Sequence, residues 1–286
     1  MNRPDLHFSR RTVQIGVALA FIVIPWLNHL RISVVYGNFL SFHFYKVPLS
    51  DPLAVLQVSL KNNYLSADLL LGAAIALGLA AALGAVFCSW ICPFGLLSEW
   101  AHALSGTSGN RRAKRPARPG PWGFRIKSML CATGLAVFFL FSTTPVLNQF
   151  SLPAWYSRIF QFWFEQRHFC LAIPALAAIL FIEALAGRRL WCRCICPQSV
   201  LIVLVRQINP RRLRIHFNGR QCACKGGSPV PCARACSLNL DPRKLNIFPE
   251  TECTNCGDCV VACRERGRAL ALRFSRTKPS LKDGDD

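Results

Sequence analysis

Four stretches of this chain, Val13–Leu30, Leu69–Phe87, Met129–Leu147 and Phe169–Gly187, are apolar and long enough to cross a lipid bilayer, for which about 20 residues are needed. Glu183 is the one Asp, Glu, Lys or Arg within them. A buried helix at the edge of a soluble core would keep a polar stripe at helical spacing, and LLLGAAIALGLAAALGAVF keeps none. The runs are therefore read as membrane spans. With 52% hydrophobic and 17% charged residues, against roughly a quarter charged in an average soluble chain, disorder is excluded as well.

Lysine and arginine in the flanks set the orientation, because cytoplasmic segments retain positive charge. The N-terminal tail, residues 88–128 and residues 188–286 together carry 29 of the 34 basic residues; the other two loops hold Arg31, Lys46, Lys61, Arg158 and Arg167. Both termini and all clustered cysteines are thus expected in the cytoplasm. This placement accounts for the net charge of +20 without nucleic acid, since the NRRAKRPARPGP stretch reads as a topogenic loop facing lipid headgroups. No alternating aromatic and basic pattern argues for a nucleic-acid partner.

The chain repeats itself once. Phe87–Leu97 (FCSWICPFGLL) and Trp191–Leu201 (WCRCICPQSVL) share aromatic-Cys-x-x-Ile-Cys-Pro, each directly after an even-numbered span. The expected fold is an α-helical integral membrane protein whose four transmembrane helices form two duplicated hairpins, covering residues 1–208, with both Cys-x3-Cys-Pro motifs at one cytoplasmic rim, as in parallel transporter repeats. Residues 105–123, rich in Gly, Pro and Arg, read as a linker, and Asn209–Arg214 reads as a hinge to a small cysteine-dense unit over 215–275. That unit has too few large apolar residues to build a core unaided.

Fifteen cysteines in one chain point to metal or redox chemistry in a reducing compartment. Cys253, Cys256, Cys259 and Cys263 make Cys-x2-Cys-x2-Cys-x3-Cys, the spacing that wraps three thiolates around one cubane iron–sulfur cluster and sends the fourth to a neighbouring cluster. Zinc prefers two separated pairs or a Cys/His mixture. The upstream set, Cys222, Cys224, Cys232 and Cys236, ends in the normal Cys-x3-Cys but opens as Cys-x1-Cys-x7-Cys. By cross-ligation, one 4Fe-4S cluster takes Cys253, Cys256, Cys259 and Cys236, and the other takes Cys222, Cys224, Cys232 and Cys263. Ser237 and Arg264 stand where a proline commonly follows the fourth cysteine.

In the membrane-proximal motifs, Cys88 with Cys92 and Cys192 with Cys196 sit at i and i+4 ahead of Pro93 and Pro197. On a helix each pair faces one way. Four sulfurs between the hairpins form a candidate metal or redox-thiol site; the alternative is that they pack as small apolar residues. Cys131, Cys170 and Cys194 have no partner by spacing. The sequence carries no nucleotide-binding glycine loop, Ser/His/Asp set or Cys-x2-Cys-His haem motif, so no catalytic residue is assigned, and none of the six histidines pairs at ligand spacing.

Four spans, two Cys-x3-Cys-Pro motifs and a dicluster tail resemble the ferredoxin-type membrane proteins of the NapH and MauN kind. The resemblance extends to Gly37-Asn38, Val47-Pro-Leu-Ser-Asp51-Pro52-Leu and Gln57. It implies a bacterial inner-membrane protein with two 4Fe-4S clusters that relays electrons between the quinone pool, with quinol as donor, and a periplasmic redox system served by another iron–sulfur or cytochrome protein. The Cys222–Cys232 spacing departs from the nitrate-reductase branch's pattern, so the resemblance implies a divergent branch at least as much, with methylamine utilisation the leading candidate from the family's range; no spacing in the chain identifies a donor or acceptor. The alternative is an assembly or maturation factor for a periplasmic redox enzyme.

Overall fold

A computed structural model describes residues 6–30, 35–38, 41–44, 47–62, 66–104, 122–141, 146–166, 171–186, 189–224, 230–238, 240–244, 252–264 and 267–276. Most of the expected linker and Cys170 lie outside these residues.

The described chain runs α1 (Leu6–His29), strands β1 (Val35–Asn38), β2 (Ser41–Phe44) and β3 (Val47–Leu49), α2 (Pro52–Asn62), α3 (Ala67–Leu83), a π-turn (Phe87–Ile91) and α4 (Pro93–Leu104). It continues with α5 (Trp122–Phe141), α6 (Val146–Gln149), α7 (Leu152–Gln166), α8 (Ala172–Ala186), a second π-turn (Trp191–Ile195) and α9 (Gln198–Ile208). Among the described residues each of the four apolar runs thus contributes a helix, α1, α3, α5 and α8. By length and composition, Leu6–His29 and Gly123–Phe141 are able to cross a membrane; α3 and α8 are shorter apolar helices of 17 and 15 residues. Ser66 caps α3 by accepting from Leu69 N–H at 3.4 Å. At its other end Gly84 adopts φ +69°, and a Cβ there would lie 3.2 Å from Asn255 Nδ2. Glycine both stops the helix and lets the cysteine-rich tail approach.

The two copies of the repeat match beyond the cysteines. In each, a buried serine and the second residue after it, a proline, open an inner helix: Ser50 and Pro52 before α2, Ser151 and Pro153 at α7. An apolar helix, a π-turn and an amphipathic helix follow in both. The inner helices are not surface loops. Asp51, read from sequence as part of an extracytoplasmic loop, accepts a 2.5 Å hydrogen bond from Gln198 Nε2, two residues beyond Cys196.

Two small sheets accompany the helices among the described residues. β1, β2 and β3 form an antiparallel meander with Val35 opposite Phe44 and Phe44 opposite Val47. In the tail, β4 (Arg211–Phe217) pairs antiparallel with β5 (Leu270–Arg276), bracketing the 3-10 turns Gly219–Gln221 and Pro242–Lys244 and the short helices α10 (Pro231–Arg234) and α11 (Asp258–Cys263). Asn209–Arg214 is consequently no hinge. Arg212 donates to Arg206 O at 2.8 Å, Asn209 Nδ2 donates to Ala81 O at 3.1 Å, and the strand begins at Arg211. These bonds fasten the tail to α3 and α9.

Candidate metal and redox centre

Both Cys-x3-Cys segments fold as π-turns rather than the α-turns that i, i+4 spacing predicts. The N–H of Cys92 donates to Phe87 O and that of Cys196 to Trp191 O, each at 2.9 Å and five residues back. The following proline has no N–H to continue the ladder, and single π-turns recur at functional sites. The matching geometry brings the two pairs together: Cys88, Cys92, Cys192 and Cys196 line one cavity with Lys127, Trp191 and Gln198. Burial, and then the neighbouring thiol, pushes Cys88 and Cys92 up to about 12, the neighbour being Cys196 for Cys88 and Cys88 for Cys92. Without a metal these are neutral thiols, and metal binding would release their protons.

In the tail, Cys236, Cys253, Cys256 and Cys259 line a second cavity, closed by Ile215, Leu238 and Leu240. This is the four-cysteine set assigned by cross-ligation. Leu240 N–H points at Cys236 Sγ at 3.4 Å, and the turn is shaped by Asn255 (φ 53°) and Gly257 (φ 84°). Burial first, then Cys256, Cys253 and Cys236 nearby, pushes the Cys259 thiol well up. The other set is gathered in the tail core: Cys232 and Cys263 are buried with Ile215, Val230 and Leu270, and Cys222 and Cys224 pack against them. Burial and then Cys263 raise the Cys232 thiol to about 11. Among the described residues no three Cys, His, Asp or Glu side chains close around a single ion. Four thiols lining one cavity with apolar walls are the donor set of a cubane, in which each thiolate binds a separate iron. The residues present fit such a group.

The Cys253–Cys256 loop is bolted to both membrane-proximal motifs. Ser89 Oγ donates to Thr254 O at 2.6 Å and Trp90 Nε1 to Asn255 O at 3.4 Å. Arg206 donates to Cys253 O at 2.8 Å, and Asn255 Nδ2 to Leu213 O at 2.8 Å. From the second copy, Arg193 pairs with Glu252 at 2.8 Å, while Gly123 N–H donates to the other oxygen of Glu252 at 3.0 Å. Cys253 lines both cavities as a result.

Buried charges surround this junction. Glu99 of α4 pairs with Arg10 at 3.1 Å, with Arg11 at 2.8 Å and with Arg189, while Arg10 also reaches Asp258 at the start of α11, at 3.2 Å. Burial pushes the Glu99 carboxyl up, but Arg189, Arg10 and Arg11 outweigh it and hold it below the ordinary range. Glu183, the lone charge in the apolar runs, accepts from Ser98 Oγ at 2.7 Å and from Trp191 N–H at 2.8 Å, so it braces the second π-turn. None of this network was visible in sequence; the one signal was Glu183 itself.

The copies differ chemically where the inner helices meet the motifs. Asp51 contacts Gln198, whereas the matching positions, Leu152 and Phe94, pack in an apolar cluster with Cys92. Burial raises the Asp51 carboxyl from 3.8 to about 6 despite its bonds from Gln198, Leu53 and Ala54. Between these values the folded chain holds a proton that the unfolded chain has released, so stability falls as pH rises through that window and is level above it, a change of about 3 kcal/mol. Asp51→Asn is expected to flatten the decline in thermal midpoint between pH 4 and 6. An unchanged slope in the variant would assign it to other groups.

A 4Fe-4S binding domain family matches the chain twice, at residues 66–111 and 169–216. These segments hold the two Cys-x3-Cys-Pro motifs and not the tail. YccM of Escherichia coli (strain K12) is 30% identical over 91% of this chain and 64% of its own length. The ferredoxin-type protein NapH of Haemophilus influenzae is 24% identical, covering 94% of this chain and 91% of that protein. The methylamine utilization ferredoxin-type protein MauN of Methylobacillus flagellatus is 26% identical, covering 80% and 74%. No solved structure matches the chain.

Proposed function

Because this chain is a homologue of the ferredoxin-type proteins NapH and MauN and carries the 4Fe-4S binding domain at two places, we propose that it is a multi-pass inner-membrane protein relaying electrons between the quinone pool and a periplasmic redox system. Iron–sulfur electron transfer is what the homology itself carries. The methylamine-utilisation or nitrate-reductase type of system, quinol as donor, and a cytochrome or second iron–sulfur protein as partner are the finer parts of the reading.

The observation behind it is the tail cavity walled by Cys236, Cys253, Cys256 and Cys259. Bound there, a cubane cluster supplies reversible storage of single electrons. The chain's own groups do the rest: Leu240 N–H donates towards Cys236 Sγ, Ile215, Leu238 and Leu240 close the apolar side, and Arg206 holds the Cys253 carbonyl. Cys222, Cys224, Cys232 and Cys263 would hold the second cluster, giving about eight iron and eight labile sulfide in the tail.

The test is reduction of the purified chain, kept anaerobic in lipid, by a short-chain quinol, followed by paramagnetic resonance of the clusters. Reduced-cluster signals are expected on addition of quinol and their loss on addition of the quinone. Clusters that dithionite reduces but the quinol and quinone leave untouched would overturn the quinone link.

The orientation has its own check. With 29 of 34 basic residues on the side of both termini, a reporter active only in the periplasm, fused after Asp286, is expected to be inactive, and a cytoplasmic fluorescent reporter at the same point to be bright. The reverse result would place the clusters on the periplasmic side.

A further inference from the structure

We propose that the two repeat copies jointly hold a third cubane iron–sulfur cluster, ligated by Cys88 and Cys92 from the first copy and Cys192 and Cys196 from the second. The inference rests on the iron–sulfur reading above for the class of group; it adds a site, and it makes the two matched domains halves of one site rather than two sites.

Four observations carry it. First, the first copy offers only two thiols to the cavity and so does the second, because Cys194 is not part of the wall. Neither copy holds a four-thiolate cluster alone. Second, the matching π-turns, with Cys92 N–H on Phe87 O and Cys196 N–H on Trp191 O at 2.9 Å each, present the two pairs to that one cavity in the same way. Third, Trp191 Nε1 faces no acceptor: it is buried without a hydrogen-bond partner, on a residue that lines the cavity. A bare metal ion offers an indole N–H nothing, whereas the bridging sulfides of a cluster accept from donors around them. Fourth, the buried Lys127 lines the same cavity within electrostatic reach of Cys88 and Cys196, with Arg206 near Cys88. Four thiolates on a cubane leave net negative charge, and a cation fixed beside them offsets the cost of burying it.

The shared wall at Cys253 then sets the third cluster next to the tail cluster of Cys236, Cys253, Cys256 and Cys259.

The experiment counts iron and labile sulfide in the full chain purified anaerobically, alongside Cys88→Ala/Cys92→Ala, Cys192→Ala/Cys196→Ala and the quadruple variant. Wild type is expected to hold about twelve of each, and all three variants about eight, because removing either half empties one shared site. The eight that remain show the tail intact. Trp191→Phe should keep twelve iron but lower the reduction potential of one cluster, through loss of its N–H bond. Eight iron in the wild type, with the quadruple variant equal to it, would overturn the third cluster while leaving the tail clusters standing. Stoichiometric copper or zinc at the rim, lost in the quadruple variant, would overturn it in favour of a single soft ion. A wild type with no iron at all would defeat the iron–sulfur reading of the whole chain. Should the multiple variants lose all iron by misfolding, the wild-type count of twelve or eight and the Trp191→Phe potential still decide.

Discussion

Cys256→Ser is expected to cost about four iron and four sulfide per chain and one of the two tail cluster signals, leaving the other. Its thiol belongs to the cavity walled by Cys236, Cys253 and Cys259, while Cys232 and Cys263 lie buried beside Cys222 and Cys224 in the core behind it. Those cysteines keep their partners when Cys256 is replaced. Cys194→Ser serves as the comparison: its thiol lines neither cavity, so iron content should not change. Metal counting with low-temperature paramagnetic resonance reads both. Simultaneous loss of both signals in Cys256→Ser would refute independent assembly and mean that the tail folds only when both sets are filled, as small metal-dependent units do. No loss would remove Cys256 from the ligand set.

What the sequence made legible follows from the physics each signal carries. The helices Ala67–Leu83 and Ala172–Ala186 could be read because a continuous apolar run needs neither partner nor register to be recognised. The joint placement of Cys88, Cys92, Cys192 and Cys196 could be read because a duplicated motif implies duplicated geometry. The cross-ligated set around the tail cavity followed from spacing alone. The rest depends on contacts distant in the chain. The strand at Arg211–Phe217 looked like a charged hinge because its pairing partner lies some sixty residues on. Asp51 looked like a loop residue until Gln198, from the other copy, was placed against it. Paired structure of this kind is invisible to periodicity.

The same holds for the ion network, and removing its centre should have the largest effect on stability of any single change outside the cysteines. Glu99 joins Arg10 of α1, Arg189 ahead of the second π-turn and, through Arg10, Asp258 of the tail. Arg10 and Arg189 are 1% and 2% exposed, so neither can recover water if Glu99 is lost. Glu99→Leu leaves Arg189 with the Gly95 carbonyl, at 3.2 Å, as its hydrogen-bond partner among the described residues, and is expected to cost about 3–5 kcal/mol, the range for breaking a buried pair by deleting one partner. Arg11 meets the same carboxylate but is 26% exposed, and Arg11→Gln should cost under about 1 kcal/mol. The decisive comparison is Glu99→Leu with Arg189→Met. If the penalty comes from a stranded buried charge, the double variant regains much of what Glu99→Leu loses, since apolar replacement of both partners is often neutral. Thermal midpoint and retained iron, measured on the full chain in lipid, give the readout. A double variant as damaged as the sum of the two single ones would show instead that Glu99 and Arg189 act separately.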